Sequence, residues 1–171
     1  MTPEKREHVI IAGFGCGGRF IAEFLHEQRT PFVLVELNEH TVQTQCELGV
    51  DAIFGNIADA DVLHQAGIET ASVLALTVPD ESAALRATEL ARRIRPDIHI
   101  IASTRHTSTG MQARQRGADQ VIVAEQVVGL DFRRRIAGFL AGRPISPGDL
   151  PGARGGDRHL TQPLPHGRGS D

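Results

Sequence analysis

Three glycines follow a short apolar run near the start of the chain, and their spacing constrains the fold more than any other feature. The run His8–Ala12 contains consecutive β-branched residues, which is typical of a buried parallel strand. Gly13, Gly15 and Gly18 then follow in a G-x-G-x-x-G spacing. After them, apolar residues recur on one expected helix face, at Phe20, Ile21, Phe24 and Leu25. The pattern predicts a strand, a tight turn and a helix.

The glycine turn predicts a binding site for a diphosphate. Gly13 permits the tight turn, Gly15 lets the backbone approach an anion, and Gly18 lets the helix pack close to the strand. The free N–H groups at the start of the helix and its positive dipole end then face the bound anion. The other residues of this turn are Phe14, Cys16 and Gly17.

An acidic residue at the end of the second predicted strand supports the same interpretation. Pro31 breaks the first helix, Phe32–Val35 is predicted as the strand, and Glu36 ends it. A carboxylate at this position binds a ribose diol and repels a 2′-phosphate, so the sequence favours NAD or an adenine nucleotide over NADP. The alternative is a glycine turn that binds no ligand, with Glu36 an ordinary solvated strand end.

The length and composition are those of a single globular domain. The chain has 171 residues, of which 40% are hydrophobic and 23% are charged, and these values are ordinary for a soluble protein. The net charge of −3 and the aromatic content of 4% give no reason to expect binding to DNA or RNA. No apolar run approaches the roughly 18 residues of a membrane span, and the charged start, Met1–Arg6, lacks a signal-peptide core. We therefore expect no membrane insertion and a cytoplasmic location.

Several catalytic chemistries are excluded by the residue types that the chain lacks. It contains no Tyr and no Trp, and its only Lys is Lys5. These absences exclude Tyr-Lys proton relays, Schiff-base lysines and the lysine of a phosphate-binding P-loop. The two cysteines, Cys16 and Cys46, match neither a disulfide framework nor a metal-ligand spacing, so we predict no metal site.

The rest of the chain alternates strands and helices. Strands are predicted at 50–55, 71–77, 98–102 and 120–123, and helices at 38–48, 59–66, 79–94, 107–116 and 126–141. The helix that begins near Pro79 is expected to be the longest, with Ala83, Ala87, Leu90, Ala91 and Ile94 facing inward. Repeated strand–helix units with short connections predict an α/β fold, a Rossmann-like doubly wound parallel six-stranded sheet in the order 3-2-1-4-5-6.

The carboxyl-terminal edge of this sheet, here called the rim, is the predicted ligand site. In such sheets ligands bind where the strand order reverses, at the carboxyl ends of strands one and four. The glycine turn, Glu36, Gly55–Asn56 and Thr77 each follow a predicted strand. We therefore expect these residues to converge on the rim.

Two predictions concern the last third of the chain. Residues 7–142 are predicted to form one domain, and residues 143–171, rich in Pro and Gly, a disordered tail. The last helix has more apolar residues than one sheet face needs, namely Val127, Val128, Leu130, Phe132, Ile136, Phe139 and Leu140. We expect part of this helix to pack on a second copy of the chain. The alternative is that it completes the core of its own domain.

From about Glu7 to Leu140 the chain resembles the RCK N-terminal domain, also called KTN or TrkA-N. The resemblance is carried, in the family's order, by His8–Gly15, Val33–Asn38, Gly55–Ile57, Ala66–Ile68, Thr77, Pro79–Glu81, Gly117–Ile122, Glu125 and Gly129. Members of this family regulate potassium channels, Trk/Ktr-type transporters and Kef-type antiporters. This ordered set is more specific than the glycine spacing alone.

The resemblance implies a nucleotide-sensing regulatory module of a potassium or other cation transport system. NAD(H), ATP, ADP or AMP would bind at the rim, and occupancy would change the packing between domains in a homodimer or larger ring. The partner would be a membrane cation channel or transporter subunit, reached from the cytoplasmic side. By resemblance, the phosphates are expected to bind at Gly13, Phe14, Gly15 and Gly18, with Cys16 and Gly17 beside them. The ribose is expected at Glu36 and the neighbouring Leu37, and the adenine at Asn56 and the neighbouring Ile57. The far end of the ligand is expected near Thr77 and Arg105.

The chain departs from the family's pattern at several positions near the rim. Many members have Arg where this chain has Cys16, and the nearest arginine here is Arg19, one turn into the helix. This difference predicts a reduced affinity for phosphate. Other departures, at positions where the family commonly has Asp, Glu, Asn or Pro, are Asn38, Asn56, His106 and Ala124.

Enzymes that use the same glycine turn are the alternatives. An NAD-dependent oxidoreductase or a redox-sensing Rossmann protein would find acid–base groups in His64, His99 and His106. The fold alone does not license hydride transfer, and the predicted tail supplies no substrate domain. A methyltransferase would need an acidic residue placed before Gly13, and this chain has none there. We therefore favour a binding module without catalytic residues.

Overall fold

Strands and helices alternate along the chain in the computed structural model, which describes residues 8–143. The strands are β1 (His8–Ala12), β2 (Phe32–Glu36), β3 (Ala52–Phe54), β4 (Ala71–Leu76), β5 (His99–Thr104) and β6 (Gln120–Val123). The helices are α1 (Cys16–Glu27), α2 (Glu39–Glu47), α3 (Ala60–Gln65), α4 (Glu81–Ile94), α5 (Thr107–Gln115) and α6 (Ala124–Leu140). Each predicted strand and helix is therefore present, with ends that differ by a few residues.

All neighbouring strands are parallel, and their order is β3-β2-β1-β4-β5-β6. The predicted Rossmann-like fold and its strand order are confirmed. At the centre of the sheet, Ala12 pairs with Val35 of β2 on one side and with Leu76 of β4 on the other. The carboxyl ends of these three strands therefore lie side by side at the rim, where the strand order reverses.

Alternate side chains of the central strands pack on opposite faces of the sheet. On one face, Ile10, Leu74 and Ile100 belong to a core cluster that also takes in residues of α3, α4 and α5. On the other face, Val9 and Ile11 pack against α1. Burying an aliphatic side chain of this size contributes roughly 1.5–3 kcal/mol before entropic costs. The strands that end at the rim are therefore held firmly in place from both sides.

The buried face of α1 differs from the predicted one. Phe20 and Phe24 are 54% and 58% exposed, whereas Gly18, Ala22 and Leu25 are buried. The reason lies at the start of the helix, because Gly18 packs directly against the glycine turn. The positions that share its face come four and seven residues later. The prediction that Phe20 and Phe24 face inward is wrong.

The helix that begins near Pro79 also differs in detail. It has 14 residues, and the longest helix is instead α6, with 17. Ala87 and Ala91 are buried as predicted, and Leu90 and Ile94 pack against the core. Ala83 is only half-buried, and Ala84 and Leu85, which were not predicted to face inward, are buried. The start is well defined, because the Asp80 carboxylate accepts the N–H groups of Ser82 and Ala83.

Helix α6 buries none of its side chains against the domain. It begins directly after β6 without a connecting loop. Its apolar residues are more than half exposed, namely Val127, Val128, Leu130, Phe132, Ile136, Phe139 and Leu140. The expectation that this helix completes the core of its own domain is therefore wrong.

The predicted boundaries of the domain and tail fall mostly at the edges of the described region. Residues 144–171 of the predicted tail lie outside the described residues, as does the first residue of the predicted domain 7–142. Both boundaries stay predictions. Between His8 and Arg143, none of the helices has the length and apolar character that crossing a membrane requires.

Candidate nucleotide-binding site

The glycine turn after β1 has the backbone geometry that its spacing predicts. Gly13 has a φ of +92°, in the left-handed region that favours glycine. A Cβ on Gly18 would lie 2.0 Å from the Gly13 carbonyl oxygen, so only glycine lets α1 approach β1 this closely. A Cβ on Gly15 would meet nothing within 4 Å. The turn is therefore tight on its inner side and open on its outer side.

The amino terminus of α1 has no side-chain cap. Its N-cap residue is Gly15, and the first turn contains no acidic residue. By contrast, α2 is capped by Asn38, which accepts the Thr41 N–H, and α4 is capped by Asp80. The first N–H groups of a helix have no partner within the helix. At α1 these groups and the positive dipole end are thus available to an anion.

Glu36 lies against the glycine turn. Its Oε2 accepts the Phe14 backbone N–H at 2.7 Å. Its Oε1 accepts the N–H groups of Leu37 at 2.7 Å and Asn38 at 3.0 Å. A carboxylate offers about four lone-pair positions, and these three hydrogen bonds leave room for a further donor such as a sugar hydroxyl. The end of β2 and the turn after β1 therefore form one polar corner.

Thr77 joins the end of β4 to the same turn. Its Oγ1 lies 2.9 Å from the Ala12 carbonyl oxygen and 3.1 Å from that of Gly13, and it donates its one hydrogen between them. Its backbone N–H also donates to the Ala12 carbonyl oxygen at 2.9 Å. The hydroxyl oxygen retains lone pairs that can accept a hydrogen bond from a ligand.

The remaining predicted residues flank this centre. Asn56 follows β3, and its Oδ1 accepts the Ala58 N–H at 2.9 Å. Ile57 is 3% exposed and belongs to the core cluster, so its side chain is turned away from the rim. Arg105 follows β5 and is exposed. The site that the structure assembles by direct hydrogen bonds is therefore the turn, Glu36 and Thr77, with Asn56 and Arg105 at neighbouring strand ends.

Cys16 and Arg19 occupy the outer side of the turn. Cys16 is the first residue of α1 and an exposed free thiol. The Arg19 guanidinium lies over the Phe14 ring, 5.5 Å from its centroid, and Nε donates to the Phe14 carbonyl oxygen at 3.3 Å. The arginine is thus held beside the turn, on the side where a phosphate would bind.

Two carboxylates on the rim, Glu81 and Glu125, were named in the sequence analysis only as residues that carry the family resemblance, without a contact or a role at the site. Glu81 accepts the Arg105 N–H at 2.5 Å, and Glu125 accepts the Thr107 N–H at 2.7 Å. The hydrogen bonds that Thr107 donates lower the pKa of Glu125 to about 2, with a further contribution from His106. The pKa of Glu81 is also lowered, first by the Arg105 N–H. Local sequence carries no signal for these contacts, because each joins residues 18 or more positions apart.

The three histidines proposed as acid–base groups lie in different places. His64 pairs with Glu69 near the amino end of β4. His99 is the first residue of β5, at the edge opposite the rim, and lies 3.7 Å from Asp119. His106 alone of the three follows a strand onto the rim, where its Nδ1 is 3.2 Å from a Glu125 oxygen. The structure therefore does not assemble these histidines into one acid–base site.

Residues 9–124 match the TrkA-N domain. The chain is 34% identical over 117 residues to a putative K(+) efflux antiporter KefB of Alkalimonas amylolytica, over 68% of this chain and 18% of the antiporter. It is 32% identical over 121 residues to the putative cation/proton antiporter YbaL of Escherichia coli strain K12, over 71% of this chain and 22% of that protein. The chain thus spans about a fifth of the length of these curated relatives.

Solved structures share the same architecture. The TrkA-N domain of the inner membrane protein YbaL from Escherichia coli matches with a TM-score of 0.73 and 30% identity, over 75% of this chain and 95% of that domain. The GsuK channel bound to NAD gives a TM-score of 0.67 and 22% identity, over 75% of this chain and 23% of that chain. The Kef CTD of Shewanella denitrificans in its AMP-bound form gives a TM-score of 0.66 and 23% identity, over 80% of this chain and 82% of that chain.

The last two matches show a common fold, in proteins that bind NAD and AMP. The match to the TrkA-N domain covers more than half of this chain, and the YbaL domain is matched over nearly its whole length. The predicted resemblance is confirmed, and this chain belongs to the TrkA-N domain family.

Proposed function

We propose that this chain is a nucleotide-sensing regulatory module of a potassium or other cation transport system, and that it binds NAD(H) or an adenine nucleotide at the rim. The observation that carries the proposal is the Glu36 carboxylate, held 2.7 Å from the Phe14 N–H beside an uncapped helix terminus. A ribose acceptor and a phosphate donor set thus lie side by side. The two relatives are a putative K(+) efflux antiporter and a putative cation/proton antiporter, and two fold neighbours have NAD or AMP bound.

Each part of the ligand has a partner in the proposed pose. Phosphates bind the N–H groups at the start of α1, around Gly15, Cys16 and Gly17, where the backbone is open. The Arg19 guanidinium beside the turn adds positive charge on that side. Ribose hydroxyls donate to Glu36. Asn56 lies on the adenine side, and Thr77 and Arg105 lie towards the far end.

We propose that the signal leaves the domain through α6. This helix presents apolar side chains along its length and buries none of them against its own domain. On β6, Ile122 is 51% exposed on the sheet face opposite the larger core cluster. A second copy of the chain would cover both surfaces, giving a homodimer or a larger ring. A nucleotide that contacts one arrangement of the two copies better than another would shift the population between them.

The module acts by binding and not by catalysis in this proposal. Of the three histidines considered as acid–base groups, His106 alone lies on the rim, and its side chain is paired with Glu125. A regulatory domain needs no proton transfer, whereas an oxidoreductase would need an acid–base group beside the nicotinamide. The proposed location is the cytoplasmic side of the membrane, where the domain would contact a cation channel or transporter subunit.

Thermal unfolding with NAD, NADH, ATP, ADP and AMP tests the proposal. A ligand at about 100 times its dissociation constant adds roughly 2.7 kcal/mol of stability, which raises the midpoint of a domain of this size by several degrees. In Glu36→Gln, the amide keeps one oxygen as an acceptor for the neighbouring N–H groups but has no charge. We expect this variant to lose most of the ligand-induced rise, measured against its own unliganded midpoint. The matched control is Glu39→Gln, three residues further along on α2. No rise with any of the five nucleotides would overturn the proposal.

A further inference from the structure

Helix α5 begins without a cap of its own. Its N-cap residue is His106, whose side chain makes no capping hydrogen bond. Carboxylates from two other helices bind the N–H groups there. The first is Glu81, the first residue of α4, whose Oε1 accepts the N–H groups of Arg105 at 2.5 Å and His106 at 3.4 Å. Its Oε2 accepts the Thr109 hydroxyl at 3.0 Å. Helices α4 and α5 are thereby tied together at the rim.

The second carboxylate comes from α6. Oε1 of Glu125 accepts both the N–H and the hydroxyl of Thr107, at 2.7 and 2.6 Å, and Oε2 lies 3.2 Å from the His106 Nδ1. The Glu125 N–H donates to the Arg105 carbonyl oxygen at 3.3 Å. The Gln126 amide donates to the Thr107 hydroxyl oxygen at 3.1 Å. We call Arg105, His106, Thr107, Glu125 and Gln126 the α5–α6 joint.

The joint matters because little else fixes the direction of α6. The helix contacts β6 at its first turn and buries no side chain on the domain. A helix of 17 residues is about 25 Å long, so a rotation of about 10° at its start displaces its far end by about 4 Å. The hydrogen bonds of Glu125 therefore decide where most of the apolar surface of α6 lies.

The joint is also connected to the proposed ligand site. Arg105 belongs both to the joint and to the flank of the rim. Glu81, which binds the Arg105 N–H, follows Thr77 by four residues, and Thr77 is bonded to the glycine turn. The chain segment 77–81, with hydrogen bonds at each of its ends, thus connects the turn to Arg105 and to the first residues of α6.

We infer that Glu125 is a positioning residue, which sets the direction of α6 by binding Thr107, and that a ligand at the rim changes this direction through Arg105. The second half of the inference rests on the proposed function. The first half does not, because it depends only on the contacts of the joint. In this role Glu125 acts through Thr107 and not through a contact with the nucleotide.

Distance measurements between spin labels test both halves. The full chain, with Cys16→Ser and Cys46→Ser, is labelled at Gln112→Cys on α5 and Ala137→Cys on α6, and diluted with unlabelled chain so that distances within one copy are measured. We expect Glu125→Gln and Thr107→Val each to widen the distance distribution about twofold. The double variant should be no wider than either single one, since both changes break the same contact. Asp131→Asn, which removes a carboxylate that within residues 8–143 pairs with Arg134 and Arg135 of the same helix, should leave the width unchanged.

The results separate this inference from the proposed function. An unchanged width in both Glu125→Gln and Thr107→Val, with the fold intact by circular dichroism, overturns the positioning role. With AMP or NADH added, the mean distance should move in the parent chain and stay fixed in Glu125→Gln. A thermal shift without any movement overturns the coupling to the rim. If no nucleotide gives a thermal shift, the proposed function fails, and the widths still decide the role of Glu125.

Discussion

The Glu36 carboxylate and the Phe14 backbone N–H are joined by a hydrogen bond of 2.7 Å, which links the end of β2 to the turn after β1. The acid is therefore positioned before any ligand arrives. A preformed acceptor costs less ordering on binding than a mobile one. In the proposed pose, this bond holds the negative charge of Glu36 where a 2′-phosphate would have to lie.

NADP should bind much more weakly than NAD for this reason. The 2′-phosphate would meet the Glu36 carboxylate at close range, and we expect a dissociation constant at least about tenfold higher than that of NAD. Glu36→Ser should lower the ratio of the NADP dissociation constant to that of NAD, while Glu39→Ser on α2 should leave this ratio unchanged. Isothermal titration calorimetry measures all six dissociation constants, those of the parent chain and the two variants for each dinucleotide. Equal affinity for the two dinucleotides in the parent chain would contradict the assigned ribose position.

Gly18→Ala should lower the stability of the domain, whereas Gly15→Ala should weaken nucleotide binding. A Cβ on Gly18 would lie 2.0 Å from the Gly13 carbonyl oxygen, whereas one on Gly15 meets nothing within 4 Å. We expect Gly18→Ala to lower the free energy of unfolding by about 2–4 kcal/mol, through strain between α1 and β1. Gly15→Ala should change it by less than about 0.5 kcal/mol but reduce the nucleotide-induced thermal shift. Urea unfolding and thermal melts provide the two readings.

Arg92 should be a stabilising residue that lysine cannot replace. Its guanidinium donates to the carbonyl oxygens of Gly117, Pro96 and Ile98 and to the Asp119 carboxylate. A lysine reaches only part of this set. We expect Arg92→Lys to lower the free energy of unfolding by about 1.5–3 kcal/mol.

The neighbouring Arg93 is the control for this effect. It makes an exposed pair with Glu89 at 2.9 Å on the surface of α4. Such pairs contribute little, so Arg93→Lys should change the free energy of unfolding by no more than about 0.5 kcal/mol. Equal losses in the two variants, measured by urea unfolding, would show that the hydrogen bonds to the carbonyl oxygens add nothing beyond the cost of any Arg→Lys exchange on α4.

Stability should fall in acid partly through Glu125. Its pKa is lowered from 4.5 to about 2 by the hydrogen bonds from Thr107 and His106. A carboxyl group with a lowered pKa in the folded state stabilises the fold above its unfolded pKa. This stability is lost as the pH falls from about 4.5 towards 2. Urea unfolding between pH 5.5 and roughly 3.5 should therefore show a shallower decline in Glu125→Gln and in Thr107→Val than in the parent chain. An identical slope in all three would contradict the assignment.

Serine substitutions at the end of α6 should weaken association without affecting the fold. Phe139 and Leu140 are 73% and 78% exposed, so changing them removes no core contact. We expect Phe139→Ser and Leu140→Ser together to raise the dimer dissociation constant by about tenfold or more, measured by sedimentation. Met111→Ser on α5, also an exposed apolar residue, should have no such effect. A parent chain that stays monomeric at high concentration would contradict the dimer.

The fold was predictable because its signals are local. Alternating strands and helices, with glycines and prolines between them, determine the strand order through the handedness rule for parallel connections. The exposed Phe20 and Phe24 were not predictable from periodicity, because the rotation of α1 is set by the contact between Gly18 and Gly13. Two faces of a helix with similar apolar content are distinguished only by what they pack against.

The residues of the candidate site also fall into those that the sequence predicts and those that it does not. Glu36 and the glycines were predictable because each follows a strand at a fixed sequence distance. Glu81 and Glu125 were not, because they cap a helix that neither of them belongs to. Long-range caps leave no trace in residue spacing. The burial of the Ile57 side chain was missed for a related reason, since it depends on the core cluster formed by distant strands.

The exposed surface of α6 has a consequence for the secondary structure of the isolated chain. A helix of 17 residues that buries none of its side chains is only marginally stable in water. Dilution should therefore unwind it, beginning at the end remote from β6. The ellipticity at 222 nm would then depend on protein concentration, and a spectroscopic reading of helix content would serve as a direct measure of self-association.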